Sequence, residues 1–359
     1  MALMTFWKAN FMKCIQPNYI KNFQCDGKKC GARCCRDWRI VVDEDAYEKF
    51  SELENSAREE IFNHTEWVGD EIEGVDILVL KLRENGVCSL LGEDCLCSLQ
   101  KKHGEEFLTA ICQSYPRVTY KLDEEFFEQS MTLTCPLAAN LILLSNNPIT
   151  FEKVENVTAR AIIGFKQKIS RPVEEFLEIQ MQAVKILQDR NFSINQRLKN
   201  LFEMFYKNTL PDAKFNLDKH TQTLAEIFIE TYGANLTRQK QKDLRKNYML
   251  NRENILRQTY ENFGNVFENY LVNEFFMRCY PCAYSGGEFH NVKIFITAYR
   301  LLEFSLVLTT IAKKNIGVED LTTLIYSVND TLDHSQGGMD AIINFANACN
   351  AENFMIQML

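Results

Sequence analysis

Residues 25–35 read C-D-G-K-K-C-G-A-R-C-C, four cysteines in eleven positions, and the reading of the chain turns on what these thiols do. Thiols this close along a chain can converge on one point, which is either disulfide or metal chemistry. Of the 13 cysteines in 359 residues, ten lie between Cys14 and Cys135. The opening M-A-L-M-T-F-W-K-A-N has no basic segment followed by an unbroken apolar run, so no secretory signal is expected and the compartment is read as cytoplasmic. Thiols stay reduced there, which favours metal binding over a disulfide framework.

Thiolates are soft donors that select zinc or iron–sulfur clusters over hard cations. His64 and His103 are the only histidines in this half, so an all-cysteine site is the economical arrangement. The spacing C-x4-C-x3-C-C matches neither the C-x2-C of zinc ribbons nor the common ferredoxin run, and both metals remain open. Adjacent Cys34 and Cys35 do not easily both take good positions around one ion. Further ligands are therefore expected from Cys88, Cys97 or Cys112, which makes the site a clasp between distant segments that metal loss would loosen. Cys14, Cys95 and Cys349 read better as small buried hydrophobes.

The balance of 46% hydrophobic and 25% charged residues is that of an ordinary globular protein. A net charge of -8 argues against nucleic acid as the main partner. The longest apolar runs, such as 304–312, are too short to span a bilayer, so no membrane insertion is expected.

Along the chain, 38–42 reads as a short strand, Asp43 as the N-cap of a helix of about ten residues through Tyr47, Phe50 and Leu53, and 76–83 as a second strand. Asn85-Gly86 then marks a hairpin turn that presents Cys88. Cys97 leads through Ser98-Leu99-Gln100 into a helix with Phe107, Leu108 and Cys112 that Tyr115-Pro116 cuts, and Pro136 opens another with Cys135 at its mouth. From about 150 onward the pattern is helical almost throughout. Ser170 is the expected cap of a helix carrying Val173, Phe176 and Leu187, and Ser193 with Gln196 forms a capping box. Asp218 caps a helix closed by Gly233, and further helices run over 244–270, 292–311 and 321–328. The basic run 238–246 reads as a solvated helix face, and Gly286-Gly287 and Gly337-Gly338 as turns. Cys279-Tyr280-Pro281-Cys282 has the form of a dithiol redox motif but lacks the βαβ context such motifs need. The expected class is thus mainly α: a cysteine-rich metal-binding region with a small β-hairpin over 1–145, then a multi-helix, substrate-binding domain over 146–359.

Three further segments extend the pattern of residues 23–43: V-C-S-L-L-G-E-D-C-L-C-S-L-Q-K-K-H-G-E-E-F-L at 87–108, C-Q-S-Y-P-R at 112–117 and L-T-C-P-L-A-A at 133–139. Together they resemble the bacterial flagellin lysine-N-methylase family, with weaker similarity through the helical part. Related cysteine patterns occur in small zinc- or iron-chelating proteins. The family pattern matches at Cys25, Cys30, Cys34, Cys35, Cys88, Cys97, Cys112 and Cys135, and at Tyr115, Pro116 and Arg117. It departs at Arg36, at Asp37 where glycine is usual, and at Cys95, which is extra.

The resemblance implies methyl transfer from S-adenosylmethionine to a lysine ε-amine of flagellin or a similar surface protein. It is read here with a metal site on Cys25, Cys30, Cys34, Cys35, Cys88, Cys97 and Cys112 that holds a 4Fe-4S cluster, or alternatively zinc. No G-x-G occurs in the chain, so a glycine-rich nucleotide loop is missing and the S-adenosylmethionine site must be of another kind. A cluster iron with an open position is one way to hold the amino-acid part of that cofactor, with Tyr115 and Arg117 as candidate lining residues. The rival class is a non-enzymatic iron–sulfur or zinc protein whose helices form a docking scaffold.

Overall fold

The computed structural model describes residues 4–6, 12–69, 76–157, 161–164, 169, 171–233, 236–334 and 337–359. Fourteen α-helices and eight strands are formed among them, so the chain is mainly α as expected. It divides into two compact units, one of residues 1–137 and 151–165, the other of 138–150 and 166–359. The sequence reading places a single boundary at 145/146, whereas the chain passes between the units three times.

The first unit holds more β-structure than its sequence suggests. Strands β1 (Met4–Phe6), β2 (Met12–Pro17), β3 (Thr65–Gly69), β4 (Asp76–Leu80), β5 (Arg117–Lys121), β6 (Phe126–Met131), β7 (Phe151–Val157) and β8 (Ala161–Gly164) all belong to it. Six of them form one sheet in the order β1-β8-β5-β6-β2-β7, and β3 pairs with β4 separately. The pairs β2–β6 and β5–β8 are parallel and the other pairings antiparallel. Strands β7 and β8 therefore correct the expectation of helix throughout from 150.

Other local expectations meet mixed outcomes. Residues 38–42 form no regular strand, although Val42 N donates to the Leu78 carbonyl (2.9 Å) and Leu80 N to the Ile40 carbonyl (2.8 Å). The Asn85-Gly86 turn forms, with Gly86 at φ 75° and Arg83 N donating to the Val87 carbonyl (2.7 Å). Asp43 caps the helix Glu44–Glu52 by accepting from Ala46 N (3.2 Å).

The second unit is built around two long helices, Arg238–Met277, interrupted at Phe263 (φ −133°), and Glu288–Lys313. Residues 266–277, at the end of the first, and most of 290–307 in the second are buried all round, and aromatic side chains fill the space between elements, as in the edge-on pair Phe275–Phe295 (5.2 Å) and the stacked pair Phe202–Phe354 (5.5 Å). Glu288–Lys313 is long and apolar enough by length and composition alone to cross a bilayer, a test that the buried core helix of a protein also passes. In this fold 72% of its most apolar stretch is buried, and the same helix carries Lys293, Arg300 and Glu303.

Those charges do structural work that their burial makes necessary. Arg300 pairs with Glu303 (2.6 Å), and its Nε donates to the Met358 carbonyl (2.8 Å) at the end of helix Ala351–Met358. Lys293 donates to the carbonyls of Ala346 and Cys349, where the helix Gly338–Ala348 ends. Both cations thus satisfy carbonyls that a helix terminus leaves without an intrahelical partner. Asn269 does the same for the helix Pro136–Leu143 through the Leu143 (3.3 Å) and Ser145 (2.8 Å) carbonyls.

Helix caps follow the sequence reading in part. Ser193 accepts from Gln196 N (3.3 Å), but the Gln196 amide turns to Asn200 instead of closing the box. Asn216 takes the capping place assigned to Asp218, accepting from Lys219 N (3.0 Å), and Gly233 ends that helix at φ 58°. The helix Val173–Leu187 begins with Pro172 at its N-cap position, and Ser170 lies outside the described residues.

Replacing Arg300 by Met strands Glu303 in the interior, and a loss of about 3–5 kcal/mol in urea unfolding is expected. His220 supplies a pH test. Its Nδ1 donates to the Gln357 carbonyl, its Nε2 accepts from the Tyr248 hydroxyl (3.1 Å), and burial holds its pKa down at about 3. The unfolded chain, with the ordinary value near 6.5, therefore binds a proton that the fold refuses between pH 6.5 and 3. Stability falls as pH drops below 6.5, by up to about 1.4 kcal/mol per unit from this group. The slope between pH 6 and 5 should be shallower in His220→Gln than in the parent chain.

Candidate functional site

The first unit gathers three cysteine segments. In the first, Asp26 caps the short helix Gly27–Cys30 by accepting from Lys29 N (3.3 Å). Gly31 (φ 65°) and Ala32 (φ 49°) then both take left-handed backbone and turn the chain into the 3-10 turn Arg33–Cys35. The reversal is held by Arg36 Nε on the Gly31 carbonyl (3.2 Å) and by the Trp38 indole donating to the Cys34 carbonyl. Asp37 is also left-handed at φ 64°, which explains why a glycine is at home in this position, and an aspartate is among the few side chains that tolerate it.

The second segment is tied to the first through backbone. Asp37 N donates to the Gly86 carbonyl (2.9 Å) and Cys88 N to the Cys35 carbonyl (2.8 Å). Bridges Leu82–Cys88 and Leu91–Cys97 fold residues 82–97 on themselves and leave Cys97 at the N-cap position of the helix Ser98–His103. A Cβ on Gly27 would lie 2.4 Å from the Cys95 carbonyl oxygen, so the two segments meet where only glycine fits. The third segment is the helix Ala110–Ser114, carrying Cys112. Thr109 caps it, and Asp43 accepts from Ala110 N (2.7 Å) while capping its own helix. Around the thiols, Cys35, Trp38, Cys97 and Cys112 pack against one buried cluster that includes Ile40, Phe50, Cys88 and Leu99.

Electrostatics link the seven expected thiols. Burial raises the pKa of Cys25, with Cys34 and Cys30 adding to it. Burial likewise raises Cys88, Cys97 and Cys112, the last to about 12, with Cys97, Cys88 and Cys34 contributing there. Cys34 and Cys35 split: their mutual hydrogen bond lowers Cys34 to about 7 and pushes Cys35 up, with Cys112 and Cys88 adding to the rise. Cys25, Cys30, Cys34, Cys35, Cys88, Cys97 and Cys112 are thus linked by a chain of pairwise effects. Among the described residues, no three or more His, Cys, Asp or Glu side chains are already grouped around a position for a metal ion.

The remaining cysteines stand differently. Cys14 is fully buried in β2, its pKa pushed up to about 12 by burial and then by Glu128, and it joins Phe127 and Ile162 in an apolar cluster. Cys95 packs against Ala32, Val87 and Leu91. Cys135 and Cys349 are buried. Cys279 and Cys282 lie in the helical unit, on a tight turn around the cis peptide Tyr280-Pro281.

Tyr115 and Arg117 have other partners: the Tyr115 hydroxyl is 3.2 Å from Thr134 Oγ1, and Arg117 lies over the Phe23 ring. Tyr115 is nonetheless one step from the cysteine loop, its ring 6.2 Å from that of Trp38. Trp38, Asp43 and Gly27 are positioning residues that the sequence reading did not single out for the site; the only signal was their closeness to the cysteines. Gly27→Ala is expected to force the first two segments apart, destabilising the first unit by about 1–3 kcal/mol and speeding alkylation of Cys97. Thiol labelling followed by peptide mapping measures it.

A family model described as the FliB lysine N-methylase C-terminal domain matches residues 199–358, all within the helical unit. The flagellar biosynthetic protein FliU of Salmonella muenchen is 30% identical over 142 residues, covering 37% of this chain and 77% of that protein. Proteins named lysine-N-methylase from Salmonella choleraesuis and Salmonella typhimurium are 30% identical over 142 residues, again 37% of this chain but 32% of their own length. The match thus spans about a third of those two proteins. No solved structure matches.

Proposed function

Because the chain belongs to the FliB-type lysine N-methylase family, we propose that it is a cytoplasmic, S-adenosylmethionine-dependent protein-lysine N-methyltransferase. Flagellin or a similar surface protein is the proposed substrate. The observation that supports this reading best is the methylase family match over residues 199–358, in a chain whose N-terminal half carries ten cysteines.

In the transfer, a neutral lysine ε-amine attacks the methyl carbon of the sulfonium. The new N–C bond forms as the C–S bond breaks, the sulfur keeps the electron pair, and the ammonium formed loses a proton. The reaction therefore needs a deprotonated amine aligned behind the methyl group, and catalysis is largely alignment and proton removal.

The thiol donor set fits an iron–sulfur cluster, with zinc as the alternative, and Cys25, Cys30, Cys34, Cys35, Cys88, Cys97 and Cys112 supply the candidate ligands. Such a cluster would offer iron as a binding point for the amino-acid part of S-adenosylmethionine. This chain's own residues hold the thiols in register: Asp43 joins two helices, Trp38 fixes the Cys34 carbonyl, and Gly27 permits the close approach of the first two segments.

Purification without oxygen is expected to give a brown protein with broad visible absorption and with iron and acid-labile sulfide. A colourless protein holding stoichiometric zinc would decide for the alternative metal. Co-expression with flagellin and labelled methyl donor should place label on flagellin lysines, and the absence of label would sink the methyltransferase reading. Cys34→Ser and Cys88→Ser should lose the metal and weaken binding of S-adenosylmethionine together. Unchanged cofactor affinity in the metal-free variants would rule out the metal as its anchor.

A further inference from the structure

The helical unit contains a small hollow to which the reading above gives no task. Tyr270, Tyr280 and Phe295 wall it with aromatic rings, and Glu274 and Arg278 supply its charge. Ala298 and Met339, which also line it, are only partly buried and mark the side nearest solvent.

Arg278 Nε donates to Glu274 Oε2 (2.8 Å), and the same guanidinium pairs through Nη2 with Asp333 Oδ1 (2.7 Å). Two carboxylates thus share one guanidinium. Among the described residues, the buried Oε1 of Glu274 has no hydrogen-bond partner. Burial raises the pKa of Glu274, with Asp333 adding to the rise against the opposing effects of Arg278 and Asn273. Burial also pushes the Tyr270 and Tyr280 hydroxyls well above their ordinary value, so both rings stay neutral.

An unpaired carboxylate oxygen among neutral aromatic rings is the chemistry that receives an organic cation, by one charge-assisted hydrogen bond and by cation–π attraction. Size narrows the choice. The hollow has room for about one water molecule, which admits the nitrogen of a primary ammonium but not a quaternary one.

We propose that this hollow is a receptor for a primary alkylammonium group, with Glu274 Oε1 as its acceptor and Tyr270 and Tyr280 as its aromatic walls. Where that ammonium belongs to a protein lysine, the hollow holds it protonated, as an anchoring point for a lysine-bearing substrate chain and not as the attacking amine. To that extent the inference rests on the methyl-transfer reading. The site itself is tested without a methyl donor, so the two ideas fail separately.

Isothermal titration of the full chain with n-butylammonium chloride, an unstructured lysine-containing peptide and tetramethylammonium chloride, at matched ionic strength, makes the test. Saturable binding of the amine or the peptide supports the site, and the tighter of the two identifies its source as a small amine or a protein lysine. Glu274→Gln keeps the side chain's shape and is expected to weaken that binding at least tenfold. Asp333→Asn, at the helix end, is expected to weaken it several-fold and serves should the buried variant not fold. Absence of saturable binding, equal binding of tetramethylammonium, or undiminished affinity in both variants overturns the proposal.

Discussion

Buried charge has to be compensated, and both units of this chain are organised by that requirement. In the helical unit the solution is complete at several points. Lys293 and Arg300 lie inside a helix whose surroundings are mostly apolar, and they are tolerated because each meets carbonyls that the last two helices cannot satisfy themselves. Glu268 is balanced in the same way by Arg190 and Arg197. The hydrophobic effect draws these helices together, but the ion pairs and capped carbonyls decide which turn faces which.

In the first unit the same requirement has another form. Several thiols share one half-buried region, and burial first, then neighbouring thiols, raises Cys25 and Cys112, while the hydrogen bond with Cys34 and burial raise Cys35. Such a cluster stays largely protonated unless a cation joins it. Metal and protons therefore compete for the same sulfurs, which makes metal affinity dependent on pH.

Much of this was legible locally. Asp43, Ser193, Pro136 and Gly233 act at helix ends as their side chains or backbone freedom dictate. The backbone links between the cysteine segments, such as Cys88 N on the Cys35 carbonyl, were not legible, because they join residues far apart in the chain. Nor was the six-stranded sheet. Phe126–Met131 is buried at every position and shows no alternation, and its parallel partner β2 lies more than a hundred residues earlier. The choice of Asn216 over Asp218 as a cap was equally hidden, since both side chains can do the job two residues apart. Family evidence divides in the same manner: the cysteine motifs carry the resemblance in sequence, whereas the family model matches the helical unit.

The discontinuity of the first unit bears on its birth at the ribosome. Residues up to 137 provide β1, β2, β5 and β6, but β8, which lies between β1 and β5, and β7, which covers the β2 edge, come only after an excursion of thirteen residues into the other unit. During synthesis the cysteine segments all emerge before the sheet of their own unit can close. The buried residues that Cys35, Cys97 and Cys112 pack against all precede residue 113, so that cluster can assemble while the sheet of the same unit still waits for β7 and β8.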